Sequence, residues 1–516
     1  MAHALTSGRP WRVVLVFAIP LFVGNVVQQL YQVTDAFVVG RHLGVDALAA
    51  VGSTGSLLFL LLGFAWGMTS GFAIPTAQAF GAGDHAAVRR SVAAGTILTA
   101  ASSLVITVGA VALARPALEL LRTPVDLIDD ATTFAVVSFS GAAATMFFNY
   151  LAAIIRAIGD SRTPLVFLVV SCGLNGALVV ALVGFAGLGV GGAALATITS
   201  QAVSVLLCVV HVRRRVPLLQ IGRADLRGAL RDLTDLGRHL RLGVPMGLQA
   251  SIIAIGTLTV QLKLNELGST AVAAYTAAAR VDSLAVALLG SLGLAVSTYA
   301  AQNHGAGRPD RVRSGVVQSA GVAVVGSVAL GAILVAFGSD LVGLFVGSGE
   351  TEVTSMAAHF LRVNGALYAA LGVLFVLRGA LQGLGRTLVP TLSGLLELVM
   401  RVGAALVLGG AFGYAGIVWS NPLAWIGSVL LLVPAYVVCH RALGRLARTA
   451  ATLPGAEPVR EARSATSLVA DAALPQPGLA LEAETETERH ETVHARVLRL
   501  HRVRRRRPAA RPRVRV

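Results

Sequence analysis

The sequence predicts an all-α integral membrane protein of about twelve transmembrane helices, in two pseudo-symmetric six-helix bundles around a central cavity. Three observations predict it. Hydrophobic residues make up 55% of the 516 residues and charged residues only 13%, with a mean hydropathy of +0.74, whereas a soluble domain is about a quarter charged. Apolar segments long enough to cross about 30 Å of hydrocarbon recur with short polar breaks. The chain also repeats its motifs about 224 residues apart, as expected of two bundles related by pseudo-symmetry.

The first six segments lie near 13–37, 48–72, 88–113, 131–155, 164–185 and 189–212. The second six lie near 239–262, 272–298, 313–337, 355–378, 388–409 and 414–440. Pro20 in the first segment answers to Pro245 in the seventh, and Gly44, before the second, to Gly268, before the eighth. Gln78-Ala-Phe-Gly81-Ala-Gly83-Asp84, a turn between the second and third, returns as Gln302-Asn-His-Gly305-Ala-Gly307-Arg308. Arg156-Ala-Ile-Gly159, leading from the fourth into the fifth, answers to Gln382-Gly-Leu-Gly385. Six spans per half is an even number, so both halves insert with one topology, related by an axis along the membrane normal.

The basic residues of the loops orient the chain. One side carries nineteen, among them Arg9, Arg89, Arg156, Arg213, Arg227, Arg308, Arg378 and Arg386; the other carries Arg41, Arg115, Arg122 and Lys263. Both termini are therefore expected in the cytoplasm of a multi-pass plasma-membrane (inner-membrane) protein. The organisation reads as a six-helix bundle over 1–212, a cytoplasmic connector over 213–238, a second bundle over 239–440 and a disordered basic tail over 441–516. Half of the formal net charge of +16 sits in that tail, so basicity is no nucleic-acid signature; the tail either lies on anionic lipid or is an unselected extension.

Other chemistry is excluded by what the motifs lack. Cys172, Cys208 and Cys439 all lie in apolar stretches, as small core residues do, without metal spacing. Gly81-Ala-Gly83 and Gly305-Ala-Gly307 follow no strand and carry no Lys-Ser/Thr, so they are turns and not phosphate loops. No cofactor and no enzymatic constellation is expected, and energy for any transport would come from an ion gradient. Small organic molecules and the bilayer are the expected partners of a monomer.

The repeated residues resemble the multidrug and toxic compound extrusion (MATE) transporters, on the prokaryotic DinF-like side. They include Ile19-Pro20, Gln28-Gln-Leu-Tyr31, Asp35, Gly40-Arg-His-Leu-Gly44, Gly243-Val-Pro245, Asn265-Glu-Leu-Gly268 and Arg280-Val-Asp282, and span residues 10–440. The resemblance implies an antiporter that exports organic, often cationic, compounds against inward protons or sodium. Two alternatives are a lipid-linked precursor flippase of the same superfamily and a non-transporting scaffold with a basic tail. A flippase usually has more helices and a more cationic cavity.

Asp35 is the leading candidate for the coupling residue. A carboxylate near the bilayer centre costs about 2.5–3.5 kcal/mol, and its affinity for a proton or sodium answers to burial and neighbouring charge. The alternative is a rim carboxylate in water beside Arg41. The resemblance pairs Asp35 with Asn175 and Thr197, whereas the position of a further family carboxylate holds Val179. One carboxylate with neutral oxygens is a poor sodium site, which favours a proton. Glu397 and Arg401, spaced i, i+4, and Arg280 with Asp282 are either structural pairs or accessory cation or cationic-substrate sites. Gln28, Gln29, Tyr31, Gln249 and Gln261 are candidate cavity residues, and Phe148 and Met146 suit a greasy site or ordinary core packing.

Overall fold

The computed structural model describes residues 4–452 except 122 and 344–349. The tail beyond Thr452, with its arginine run, and Arg122 lie outside the described residues. Among the described residues, fifteen α-helices follow one another: α1 (Pro10–Gly81), α2 (His85–Leu120), α3 (Ile128–Ser140), α4 (Ala142–Ala157), α5 (Arg162–Val179), α6 (Gly189–Arg215), α7 (Arg223–Arg231), α8 (Leu233–Glu266), α9 (Ser269–Gly305), α10 (Pro309–Gly343), α11 (Thr351–Ala366), α12 (Tyr368–Gly383), α13 (Leu388–Phe412), α14 (Tyr414–Val418) and α15 (Ser420–Thr452). A turn of π-helix, Val180–Phe185, extends α5.

Among the described residues, nine helical stretches are long and apolar enough to span alone, and α3 with α4 and α11 with α12 add two bent spans of 45° and 52°. The twelfth is hidden inside α1. At 1.5 Å per residue, its 72 residues would reach about 108 Å if straight. Yet both its ends meet Gln302: the Leu5 N–H, just before α1, donates to Gln302 Oε1 at 2.8 Å, and Gly81 at the far end packs against the Gln302 carbonyl. The helix therefore doubles back, at Gly44, where φ is 88° and ψ is −175°. Gly268, its repeat partner, has φ 96° and ψ 176° and starts α9. Only glycine takes that backbone without strain of about 1–3 kcal/mol. Gly44→Ala and Gly268→Ala should each lower the thermal midpoint in detergent, with a loss of that size, despite the open space around both positions.

The bends of the fourth and tenth spans fall at equivalent points, Gly141 and Leu367. Neither is a proline, and no sequence signal predicted them. The connector expected over 213–238 holds a helix of its own: α7 lays Ala229 against Ala93 and Ala94 of α2, and Asp225 caps it by accepting the Gly222 N–H at 2.8 Å. At the other end of the chain, α15 continues past 440 to Thr452, so the sequence-based boundary there is too early.

Each half grips the other on the arginine-rich face through a matched pair of glutamines. Gln78 Nε2 donates to the Gly383 carbonyl at 2.9 Å, and Gln302 Nε2 to the Ala157 carbonyl at 2.8 Å. Their Oε1 atoms accept from Arg238 Nη2 at 2.7 Å and, for Gln302, from the Leu5 N–H. Beside them the Gly81 and Gly305 backbones abut the Gln302 and Gln78 carbonyls so closely that a Cβ on either would overlap. With each net hydrogen bond worth about 1 kcal/mol, Gln78→Ala/Gln302→Ala should loosen this face. Ser70→Cys, in the cavity above it on a background without Cys172, Cys208 and Cys439, should then react at least about tenfold faster with an impermeant maleimide added from that face.

Candidate functional site

The first helical limb carries Asp35 nine residues before the Gly44 reversal, about 13 Å along the axis, which is close to half the hydrocarbon thickness. It is not paired with Arg41 among the described residues. Asp35 Oδ2 accepts from Thr197 Oγ1 of α6 at 3.1 Å, and Asn175 Nδ2 of α5 donates to the same Thr197 oxygen at 3.3 Å. Two oxygens of this cluster, Asp35 Oδ1 and Asn175 Oδ1, are buried without a hydrogen-bond partner. One turn along, the Tyr31 hydroxyl meets Ser200 Oγ at 2.6 Å, tying α1 to α6. Val179 is packed with Val38, Val39 and Ala193, so it supplies no oxygen. The structure thus brings Asp35, Asn175 and Thr197 together across three helices.

The second half holds its charges partly as expected. Glu397 and Arg401 of α13 pair at 3.0 Å, and Arg378 of α12 pairs with the other Glu397 oxygen at 2.9 Å. Arg378, expected in a loop, is instead 6% exposed. Its place inside an apolar run was the available signal. Arg280 is exposed and does not pair with Asp282, because residues two apart on a helix point away from each other. Asp282, 8% exposed, instead accepts from the Tyr368 hydroxyl at 2.5 Å. Tyr368 was not anticipated.

Between the halves lies a cavity of about 370 Å³, within the range of small-molecule sites. Gln28, Gln249 and Phe148 line it. Gln249 donates to the Pro390 carbonyl at 3.0 Å and accepts from Gln382 Nε2 at 2.9 Å. The other candidates lie elsewhere. Gln29 accepts from Ser283 Oγ at 3.3 Å, Tyr31 belongs to the Asp35 cluster, Gln261 bonds Asn265 along its own helix at 2.9 Å, and Met146 is core. Arg156, also expected in a loop, reaches the cavity from α4.

Two like-oriented six-span halves around such a cavity, with carboxylates buried at membrane depth, define a multi-pass membrane transporter. The sequence pattern of the MatE family matches residues 20–183 and 245–407, one match in each half, and the chain belongs to that family. It is 31% identical over 436 residues to the probable multidrug resistance protein YoeA of Bacillus subtilis, covering 83% of this chain and 93% of that one. It is 23% identical over 455 residues to an FAD transporter of Shewanella oneidensis, covering 85% and 96% of the two chains. A crystal structure of a MATE protein in the bent conformation superposes with a TM-score of 0.78 at 23% identity, covering 86% of this chain and 98% of that one.

Proposed function

We propose that the chain is a cation-coupled antiporter that exports organic compounds from the cytoplasm by alternating access, with Asp35 as the coupling residue. The observation that carries this is the pair of unpartnered acceptors, Asp35 Oδ1 and Asn175 Oδ1, around a shared Thr197 hydroxyl. A proton on Asp35, or a sodium ion between these oxygens, would satisfy them and repack the first limb of α1 against α5 and α6. Glu397 is a weaker candidate because two guanidiniums already neutralise it. Asp282 is weaker because its contact is with Tyr368 in the interior. The apolar Val179 leaves a single carboxylate, which favours a proton over sodium. Relatives named for multidrug resistance and for FAD support export of organic molecules. The excess of basic residues on one face supports a plasma-membrane orientation with that face in the cytoplasm.

The test is efflux from cells of a dye panel containing one cation, one anion and one neutral compound, with and without sodium and a protonophore. Export of any panel member that collapses with protonophore, ignores sodium and vanishes in Asp35→Asn supports the reading. Export of every carried dye unchanged in Asp35→Asn contradicts it.

A further inference from the structure

We infer that the central cavity selects amphipathic organic anions, with Arg156 as the residue that receives the anionic group. The inference rests on that cavity being the transport site. Its lining includes two arginines and, among the described residues, no carboxylate. The two arginines differ in their freedom. Arg378 is already committed to Glu397 at 2.9 Å. Arg156 takes part in none of the ion pairs of the described residues.

The nearest acid in sequence is turned to other work. Gly159, at φ 88°, ends the helix before Asp160. Asp160 Oδ1 then accepts the Arg162 and Thr163 N–H groups at 3.1 and 3.0 Å, and its Oδ2 accepts the Thr163 hydroxyl at 2.7 Å. Arg156 is thus left as an uncompensated cation, half-buried, on the face of α4 that also presents Phe148, Asn149 and Ala152 to the cavity. A smaller cavity, lined also by Ala73, Ala77 and Ala157, shares Arg156 with it, so Arg156 stands where the two chambers adjoin.

A cationic molecule entering this space meets an unpaired guanidinium in a medium of low dielectric and finds no carboxylate to offset it. A sulfonate, carboxylate or phosphate gains charge-assisted hydrogen bonds from the same group. Around it, Phe148, Trp66, Leu165 and Phe375 offer an apolar wall for a hydrophobic body. An aryl sulfonate and a lipid diphosphate share this chemistry and are separated below.

Binding of 8-anilinonaphthalene-1-sulfonate, of its neutral counterpart N-phenyl-1-naphthylamine and of ethidium should be compared on the purified full chain. Quenching of Trp66 reports it, with Trp66→Phe marking signal from elsewhere. The sulfonate should bind about tenfold more tightly than the neutral amine, as expected for a hydrogen bond to a charged group. Arg156→Gln should erase that preference and Arg156→Lys should keep it. Displacement of the sulfonate by farnesyl diphosphate but not by naphthalenesulfonate assigns the site to a lipid diphosphate, and the reverse assigns it to free organic anions. Equal binding of anion and amine, tighter binding of ethidium, no saturable sulfonate binding, or a preference untouched in Arg156→Gln overturns the inference. Loss of efflux in Asp35→Asn alongside any of these would leave the transport reading standing and this one refuted.

Discussion

Asparagine at position 35 is expected to reduce gradient-driven efflux to the level of cells lacking the chain, with expression and thermal midpoint unchanged. The amide has the shape of the carboxyl and can still accept from Thr197 Oγ1, now 3.1 Å from Asp35 Oδ2, so the helices keep their contact. What it lacks is a site for a proton or a full charge for sodium. Transport that continues in this variant at wild-type rate, under a proton gradient alone, would put the coupling elsewhere. Thr197→Ala, which removes the shared hydroxyl but not the carboxyl, should weaken coupling and not abolish it.

The largest stability effect is expected at Glu397. Its two oxygens each hold one buried guanidinium, Arg378 at 2.9 Å and Arg401 at 3.0 Å, and α13 and α12 meet through it. Glu397→Ala strands both cations in the interior, a change that costs about 3–5 kcal/mol for a broken buried pair. The expected readout is loss of monodisperse protein in detergent, or a strongly lowered thermal midpoint by tryptophan fluorescence. Replacing the whole triad with Arg378→Met/Glu397→Leu/Arg401→Met should recover most of the loss, because no unpaired charge remains. A stable triple variant that still exports would mark the triad as structural, and a stable one that does not would give it a part in transport.

Much of this was legible before the structure because the chain states it twice. The reversal at Gly44 and its partner Gly268, and the matched turns after Gln78 and Gln302, follow from repeated glycines with one backbone role each. Asp35, Asn175 and Thr197 were joined by their match to family spacing and proved to be neighbours. Helix rotation was far less legible. A soluble helix announces its inner face by polarity, but a lipid-facing surface is as apolar as a bundle interior. Gln261 and Arg280 differ from expectation for that reason: depth along a helix says nothing of the angle around its axis. Arg378 differs for another, since a basic residue at the end of an apolar run reads as the start of a loop. The bends at Gly141 and Leu367 share no residue type, so the repeat does not mark them. The Gln78 and Gln302 clasp closes mostly on main-chain groups, which no side-chain motif records.

The most direct measurement of the coupling claim is the number of protons released when a transported compound binds the purified protein. It can be obtained by calorimetry in two buffers of different ionisation enthalpy, with and without sodium, for the wild type and Asp35→Asn. Proton coupling at Asp35 predicts release by the wild type, none by the variant, and no dependence on sodium. Equal release from both proteins, or binding that exchanges sodium with no proton, would contradict it.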